Sequence, residues 1–118
     1  TAGMTMVLID PPSVANARLG KPLDVRQTFA ISTTEATVGQ LRQFRPQHQQ
    51  DTAESEQIPA VSLHVLYAIG FCQWLNQQEG IPETEWCYPH PDQLSTSNLN
   101  PVPGYLTKTG YRLPTADE

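Results

Sequence analysis

One segment of the chain, residues 63–78, has the pattern of a long amphipathic helix, and the rest of the fold has to pack around it. Ser62 is the predicted N-cap, because a serine hydroxyl can accept a hydrogen bond from the free N–H groups of a first helical turn. Gly80 suits the left-handed residue that follows a helix, and Pro82 prevents continuation. The predicted apolar stripe consists of Val65, Ile69, Cys72 and Leu75 or Asn76, widened by Leu66, Ala68 and Phe71. The predicted solvent-facing side chains are Gln73, Gln77, Gln78 and Glu79.

Shorter elements flank this helix. Residues 4–9 (MTMVLI) predict a strand, and the alternation within residues 23–32 predicts a second strand, or a broken pair, with one buried face. Thr37 is a suitable N-cap for a short helix over residues 38–44. Residues 85–88 (EWCY) predict a buried strand or extended segment. The sequence therefore predicts an α+β fold.

The composition predicts much irregular loop. The chain has eleven prolines, and hydrophobic residues make up 38% of it. Each proline fixes φ and removes a backbone hydrogen-bond donor. Residues 45–57 and 89–104 are polar and are predicted to be surface loops. With 118 residues, the chain has room for one domain and too little for two.

The charge distribution disfavours nucleic acid as a partner. The formal net charge is −5, and no cluster of basic residues is present that could neutralise a run of phosphates. No apolar run approaches the roughly 20 residues that a membrane-spanning helix needs. The cellular compartment and the oligomeric state stay open. The seven scattered cations are Arg18, Lys21, Arg26, Arg42, Arg45, Lys108 and Arg112.

Cysteine and histidine are two residue types of this chain whose side chains could carry chemistry. Cys72 and Cys87 could form a disulfide or redox pair, but structural packing is favoured, because no cation flanks either thiol in the sequence. A site made of His48, His64 and His90 is disfavoured, since no spacing among them matches a metal-ligand pattern.

The other candidate residues also favour structural roles. The carboxylates show no calcium-loop spacing, the serines no nucleophile motif, and the glycines are isolated. Trp74 and Trp86 could line a ligand groove, but core packing is the favoured interpretation. We therefore assign no catalytic, cofactor-binding or metal-binding residue.

The final residues carry the signature of a helix start. Thr115 and Glu118 have the spacing of a capping box, in which each side chain accepts from the other residue's backbone N–H. A chance match is the alternative. On the capping interpretation, we expect residues 1–118 to be the leading part of a larger domain, cut off where a helix begins.

Several linked motifs follow one another from about residue 23 onward, and their order is more specific than one short pattern. They are Phe29-Ala30-Ile31, Glu35-Ala36-Thr37-Val38 with Leu41 and Phe44, Ile58-Pro59-Ala60-Val61-Ser62, Phe71-Cys72-Gln73-Trp74-Leu75, Glu79-Gly80-Ile81-Pro82 with Trp86-Cys87-Tyr88, and Gly104-Tyr105-Leu106 through Thr109-Gly110-Tyr111-Arg112-Leu113-Pro114-Thr115. This order resembles the formylglycine-generating enzyme (sulfatase-modifying factor) family, and most closely its bacterial branch.

The resemblance implies an incomplete C-type-lectin-like fold. Family members use copper held by two cysteines, and calcium, mainly from a later half of the domain, so neither cofactor is expected on residues 1–118. Cys72 and Cys87 match family cysteines that look structural. The glycine-rich F-x-M-G-S segment of the family is absent after residues 4–9.

Two functions are compatible with this resemblance. The first is a non-catalytic domain with a binding role toward a protein or peptide, a scaffolding role, or no independent activity. The alternative is part of a copper-dependent oxidase that converts a sulfatase cysteine to formylglycine, with catalytic residues beyond residue 118. Fold alone does not decide between them.

Overall fold

The computed structural model describes residues 3–10, 27–48, 57–60, 64–116 and 118. Within these ranges the elements are β1 (Met6–Ile9), β2 (Phe29–Ser32), α1 (Val38–Phe44) and α2 (Val65–Gln78). Three 3-10 turns follow, at Glu83–Glu85, Pro91–Gln93 and Tyr105–Thr107. The α+β class is confirmed. Predictions for residues 11–26, 49–56, 61–63 and 117 lie outside the described residues.

The two strands form an antiparallel pair that is shorter than predicted. The register places Met6 opposite Ser32 and Ile9 opposite Phe29. All four side chains of β1 are exposed. The predicted buried face of β2 is present only in part, because Phe29 and Ile31 are half-buried and Ala30 between them is exposed.

Helix α1 has the predicted bounds and the predicted N-cap. The Gln40 N–H donates to Thr37 Oγ1 at 3.2 Å, and the Thr37 N–H donates to Gln40 Oε1 at 2.9 Å. These two bonds complete a capping box that the sequence reasoning missed. The helix buries Val38 and Leu41, and the Val38 N–H donates to the Ile58 carbonyl at 2.9 Å. Residues 58–60 are thereby attached to the start of α1.

Helix α2 begins two residues later than predicted, at Val65. Its N-cap is His64, whose Nδ1 accepts from the Leu66 N–H at 3.0 Å. Ser62, the predicted cap, lies outside the described residues. The helix ends as predicted, with Gly80 at a left-handed φ of 67°.

The buried face of α2 differs from the predicted stripe at both edges. Val65 is 51% exposed, and Gln73, predicted to face solvent, is 2% exposed. At 3.6 residues per turn, the buried side chains span about 200° of the helix, wider than a single stripe, because α2 packs against two clusters. The buried residues are Ile69, Phe71, Cys72, Gln73, Leu75 and Asn76.

The two clusters divide the core along α2. Ile69 and Cys72 pack with Cys87 and Tyr88 from the segment that follows the first 3-10 turn. On the other side, Phe71 and Leu75 pack with Leu41 of α1. One side of α2 thus contacts mainly the preceding elements and the other contacts residues 87–113, with Tyr111 packed against both clusters.

The buried strand or extended segment predicted over residues 85–88 is confirmed only in part: residues 86–88 are buried, but Glu85 belongs to the first 3-10 turn and residues 87–88 form a bend. Trp86, Cys87 and Tyr88 are 6%, 0% and 7% exposed. The Val102 N–H donates to the Cys87 carbonyl at 2.9 Å, which ties the loop at residues 89–104 to this segment. No helix in the described ranges is both long enough and apolar enough to span a membrane.

Candidate functional site

The Thr-Gly-Tyr-Arg-Leu run (Thr109–Leu113) is an irregular segment whose backbone is anchored by residues 85–88. The Thr109 N–H donates to Glu85 Oε2 at 3.1 Å and the Gly110 N–H donates to the Glu85 carbonyl at 2.9 Å. The Leu113 N–H donates to the Tyr88 hydroxyl at 3.1 Å. Residues 85–88 thus supply the acceptors for three backbone donors of this run.

Asn76 anchors the same run from α2. Its side chain is fully buried, and its Oδ1 accepts from the Tyr111 N–H at 2.7 Å. The Tyr111 hydroxyl in turn donates to Glu79 Oε1 at 2.7 Å, one turn further along the helix. A polar residue, Asn76, occupies this position of the buried face because its side-chain oxygen accepts a hydrogen bond from the Thr109–Leu113 run.

Gly110 lies where no side chain fits. A Cβ at this position would be 2.5 Å from the Glu85 carbonyl oxygen, 3.1 Å from Trp86 Cα and 3.3 Å from Asn76 Oδ1. Because two of these atoms are backbone, they cannot move aside without moving the chain. Glycine therefore allows the run to approach both neighbouring segments.

Arg112 and Glu118 form a bidentate ion pair beside this run. Arg112 Nη1 and Nη2 donate to Glu118 Oε1 and Oε2 at 2.5 and 2.7 Å, and the two side chains are 13% and 6% exposed. The hydrogen bonds from Arg112 lower the pKa of the Glu118 carboxyl, and Glu118 raises the pKa of Arg112. Two parallel N–H···O bonds between a guanidinium and a carboxylate are a geometry that gives strong, charge-assisted hydrogen bonds.

The predicted capping box at the end of the chain is half formed. The Thr115 N–H donates to Glu118 Oε1 at 2.8 Å, as predicted. The Glu118 N–H, however, donates to the Thr115 carbonyl at 3.1 Å and not to the threonine hydroxyl. The Glu118 carboxylate thus accepts hydrogen bonds from both Thr115 and Arg112.

Both thiols are free and buried. Burial, with a smaller contribution from Cys87, raises the pKa of Cys72 to about 12. Burial also raises the pKa of Cys87, against the opposing effect of the Arg112 and Lys108 charges. The Cys87 thiol donates to the carbonyls of Gly110 at 3.4 Å and Tyr105 at 3.6 Å. The predicted packing role fits this geometry.

The three histidines have separate local roles. His64 caps α2, and the His48 carbonyl accepts from Arg42 Nε at 3.1 Å. The His90 ring stacks on Trp86 with 6.3 Å between centroids, and its Nε2 lies 3.6 Å from Glu83 Oε1. Across the described part of the chain, no group of three or more His, Cys, Asp or Glu side chains could hold a metal ion.

The two tryptophans differ in burial. Trp86 is a core residue, as predicted, and its indole N–H donates to the Ile81 carbonyl at 2.8 Å. Trp74 is half-buried at the edge of the second cluster, where it stacks on Phe71 with 5.8 Å between centroids and meets Phe44 at 6.1 Å. The prediction that Trp74 is a core residue is therefore confirmed only in part, because its ring is half-buried.

Gln73 is a structural residue that sequence reasoning placed wrongly. Its Nε2 donates to the Pro89 carbonyl, which joins α2 to the loop after the buried segment. The burial of Gln73 was hard to predict from sequence, because an amide side chain in a helix more often faces solvent.

Comparison with family models, with curated proteins and with solved structures gives no match for this chain.

Proposed function

We propose that the chain belongs to a sulfatase-modifying-factor-like domain with a C-type-lectin-like fold, and that it acts without catalysis, in binding a protein or peptide or as a scaffold. One observation supports this most. The Thr109–Leu113 run, which carries part of the resemblance, is engaged in contacts within the fold. No side chain fits at Gly110, and the Tyr111 and Leu113 N–H groups donate to Asn76 and Tyr88. Arg112 pairs with Glu118.

The state of the thiols supports a non-catalytic role for these residues. A cysteine that acts as nucleophile or copper ligand does so as the thiolate. The raised pKa values of Cys72 and Cys87 disfavour that form at neutral pH, and both sulfur atoms lie in the core. Neither thiol is presented to a substrate.

The exposed strand β1 supports a protein or peptide ligand. Met6, Val7, Leu8 and Ile9 are 38%, 42%, 77% and 39% exposed and carry no charge. Within the described ranges, β1 pairs with β2 alone. A strand edge with apolar side chains can accept an extended peptide as an added strand, with backbone hydrogen bonds giving affinity.

A turnover assay separates this proposal from its alternative. The full-length protein, with any residues encoded beyond residue 118, is incubated with copper and oxygen and a peptide containing Cys-x-Pro-x-Arg, and formylglycine is measured by mass spectrometry. We expect no conversion above the control without protein. Conversion by the full-length protein would replace the proposal with the copper-dependent formylglycine-generating oxidase.

A second assay tests the binding role itself. A random peptide library is selected on the wild-type chain, and the enriched peptides are compared on Leu8→Lys and on Leu106→Lys. Leu106 is also exposed, at 46%, but lies outside β1. We expect Leu8→Lys to abolish binding and Leu106→Lys to preserve it. Equal binding to all three chains would count against β1 as the binding edge.

A further inference from the structure

The register of the two strands shows which backbone groups lie on the outer edge of β1. The Thr33 N–H donates to the Thr5 carbonyl at 2.9 Å, in the same register as the pairs of β1 and β2. In an antiparallel ladder, residues that exchange backbone hydrogen bonds alternate with residues that do not. Val7, two residues after Thr5, is therefore bonded to β2, whereas Met6 and Leu8 direct their N–H and C=O groups away from β2.

The side chains of β1 leave both faces of this edge apolar. Met6 and Leu8 lie on one face and Val7 and Ile9 on the other, and all four are exposed and uncharged. Edge strands of soluble proteins usually carry a charge, a proline or a bulge that prevents further pairing. Strand β1 has no charge or proline, and its register with β2 is regular. It is therefore suited to pair with one more strand.

We propose that the outer edge of β1 is a dimerisation surface, on which β1 of a second copy of this chain pairs antiparallel, with Met6 opposite Leu8 of the second copy. The proposal rests on the proposed role of β1 as a binding edge, and it names the partner. In the part of the chain that the structure describes, the sheet has two strands. Dimerisation extends it to four, and sheets of three or more strands are more stable than an isolated pair.

The alternation of backbone groups selects this register. Within β1 the outward groups belong to Met6 and Leu8, and all of them find a partner when Met6 of each copy lies opposite Leu8 of the other. Each of these two residue pairs then exchanges two backbone hydrogen bonds. A shift by one residue would place these groups opposite groups that are already bonded to β2. The twofold axis therefore passes beside Val7, which lies opposite Val7 of the second copy.

The charge near β1 is placed where it does not oppose this pairing. Asp10 follows the strand, and its Oδ1 accepts from Thr28 Oγ1 at 2.8 Å within its own sheet. In the proposed register Asp10 lies opposite Met4 of the second copy. The two Asp10 residues are then six positions apart along the sheet, or about 20 Å. This exceeds the screening length of about 8 Å at physiological salt.

The first test measures the mass of the wild-type chain over a dilution series by sedimentation equilibrium. We expect a concentration-dependent rise from 13.1 kDa toward twice that mass. Because each copy carries a net charge of −5, association should strengthen as salt is raised. Amide hydrogen exchange of Met6 and Leu8 should slow as the dimer forms, whereas that of Val7 should change little. A chain that stays monomeric up to about 1 mM overturns the proposal.

The second test uses the position of the twofold axis. Val7→Lys and Val7→Glu each place two like charges about 5 Å apart across the axis, so each variant alone should be monomeric. An equal mixture places opposite charges there and should form a heterodimer, which native mass spectrometry distinguishes by mass. Leu106→Lys, an exposed change outside β1, should dimerise like the wild type. Circular dichroism verifies that each variant is folded.

The outcomes separate this inference from the proposed binding function. If Val7→Lys and Val7→Glu dimerise alone, or if their mixture stays monomeric, β1 is not the dimer edge in this register. A wild-type chain that binds selected peptides through β1 but never dimerises overturns the inference and leaves the binding function standing. A wild-type chain that dimerises through β1 but binds no peptide supports the inference and removes only the role toward other ligands.

Discussion

Gly110 shows how one position can hold a whole segment in place. Its α-carbon lies against the carbonyl of Glu85, where a Cβ would be 2.5 Å from the oxygen. We expect Gly110→Ala to lower the free energy of unfolding by about 1–3 kcal/mol, since backbone has to shift to admit the methyl group. Urea denaturation measures this.

Gly70→Ala is the control for that substitution. Its Cβ would meet only the end of the Phe44 side chain, at 3.2 Å and 3.8 Å, and alanine favours the helix. A change within about 1 kcal/mol is expected there. If Gly110→Ala proves equally mild, residues 109–113 do not lie as close to residues 85–86 as described.

Asn76 illustrates the cost of a buried acceptor. Replacement by alanine leaves the Tyr111 N–H without its partner and opens space beside the helix. We expect Asn76→Ala to cost about 2–4 kcal/mol, combining the unpaired donor with lost packing. The exposed neighbour Gln77→Ala should change stability by less than about 0.5 kcal/mol. Equal effects in chemical denaturation would contradict the placement of Asn76.

At the scale of elements, the helices were the most predictable part of the chain. The start of α1 followed from Thr37, and the end of α2 followed from Gly80, because a helix cap depends only on residues that are adjacent in sequence. The burial of Gln73 did not follow, since it depends on the Pro89 carbonyl, which is distant in sequence. The presence of Cys72 and Cys87 in one buried cluster did not follow either, because only the tertiary fold brings α2 and residues 86–88 together.

The two elements β1 and α1 contrast in what they contribute to stability. Leu41 of α1 is 1% exposed and Leu8 of β1 is 77% exposed. We expect Leu41→Ala to cost about 2–5 kcal/mol through lost burial and a residual cavity. Leu8→Ala should stay within about 0.5 kcal/mol. Thermal or urea unfolding of the two variants measures these changes. The assigned packing is contradicted if Leu8→Ala lowers stability more than Leu41→Ala does.

At the scale of the whole molecule, acid sensitivity should depend on the Arg112–Glu118 pair. The Glu118 pKa is lowered from its ordinary value of 4.5, chiefly by the hydrogen bonds from Arg112. A carboxyl whose pKa is lower in the folded than in the unfolded state adds stability. This stability is fully present at pH values above the unfolded-state pKa. That stability is lost as pH falls below 4.5 and through the folded-state pKa. Acid should therefore loosen the end of the chain while leaving the clusters around α2 uncharged and packed.

Glu118→Gln tests this dependence, because glutamine keeps the shape of the side chain and has no charge to titrate. We expect the variant to be less stable than wild type near neutral pH, and its stability to fall less steeply below pH 4.5. Glu83→Gln is the matched control, since Glu83 has a 68% exposed side chain and should leave the wild-type slope nearly unchanged. Urea midpoints measured from neutral pH to about pH 3 give the three slopes. If Glu118→Gln kept the wild-type acid response, other carboxylates would have to carry it, and the ion pair would contribute little to the stability of the fold.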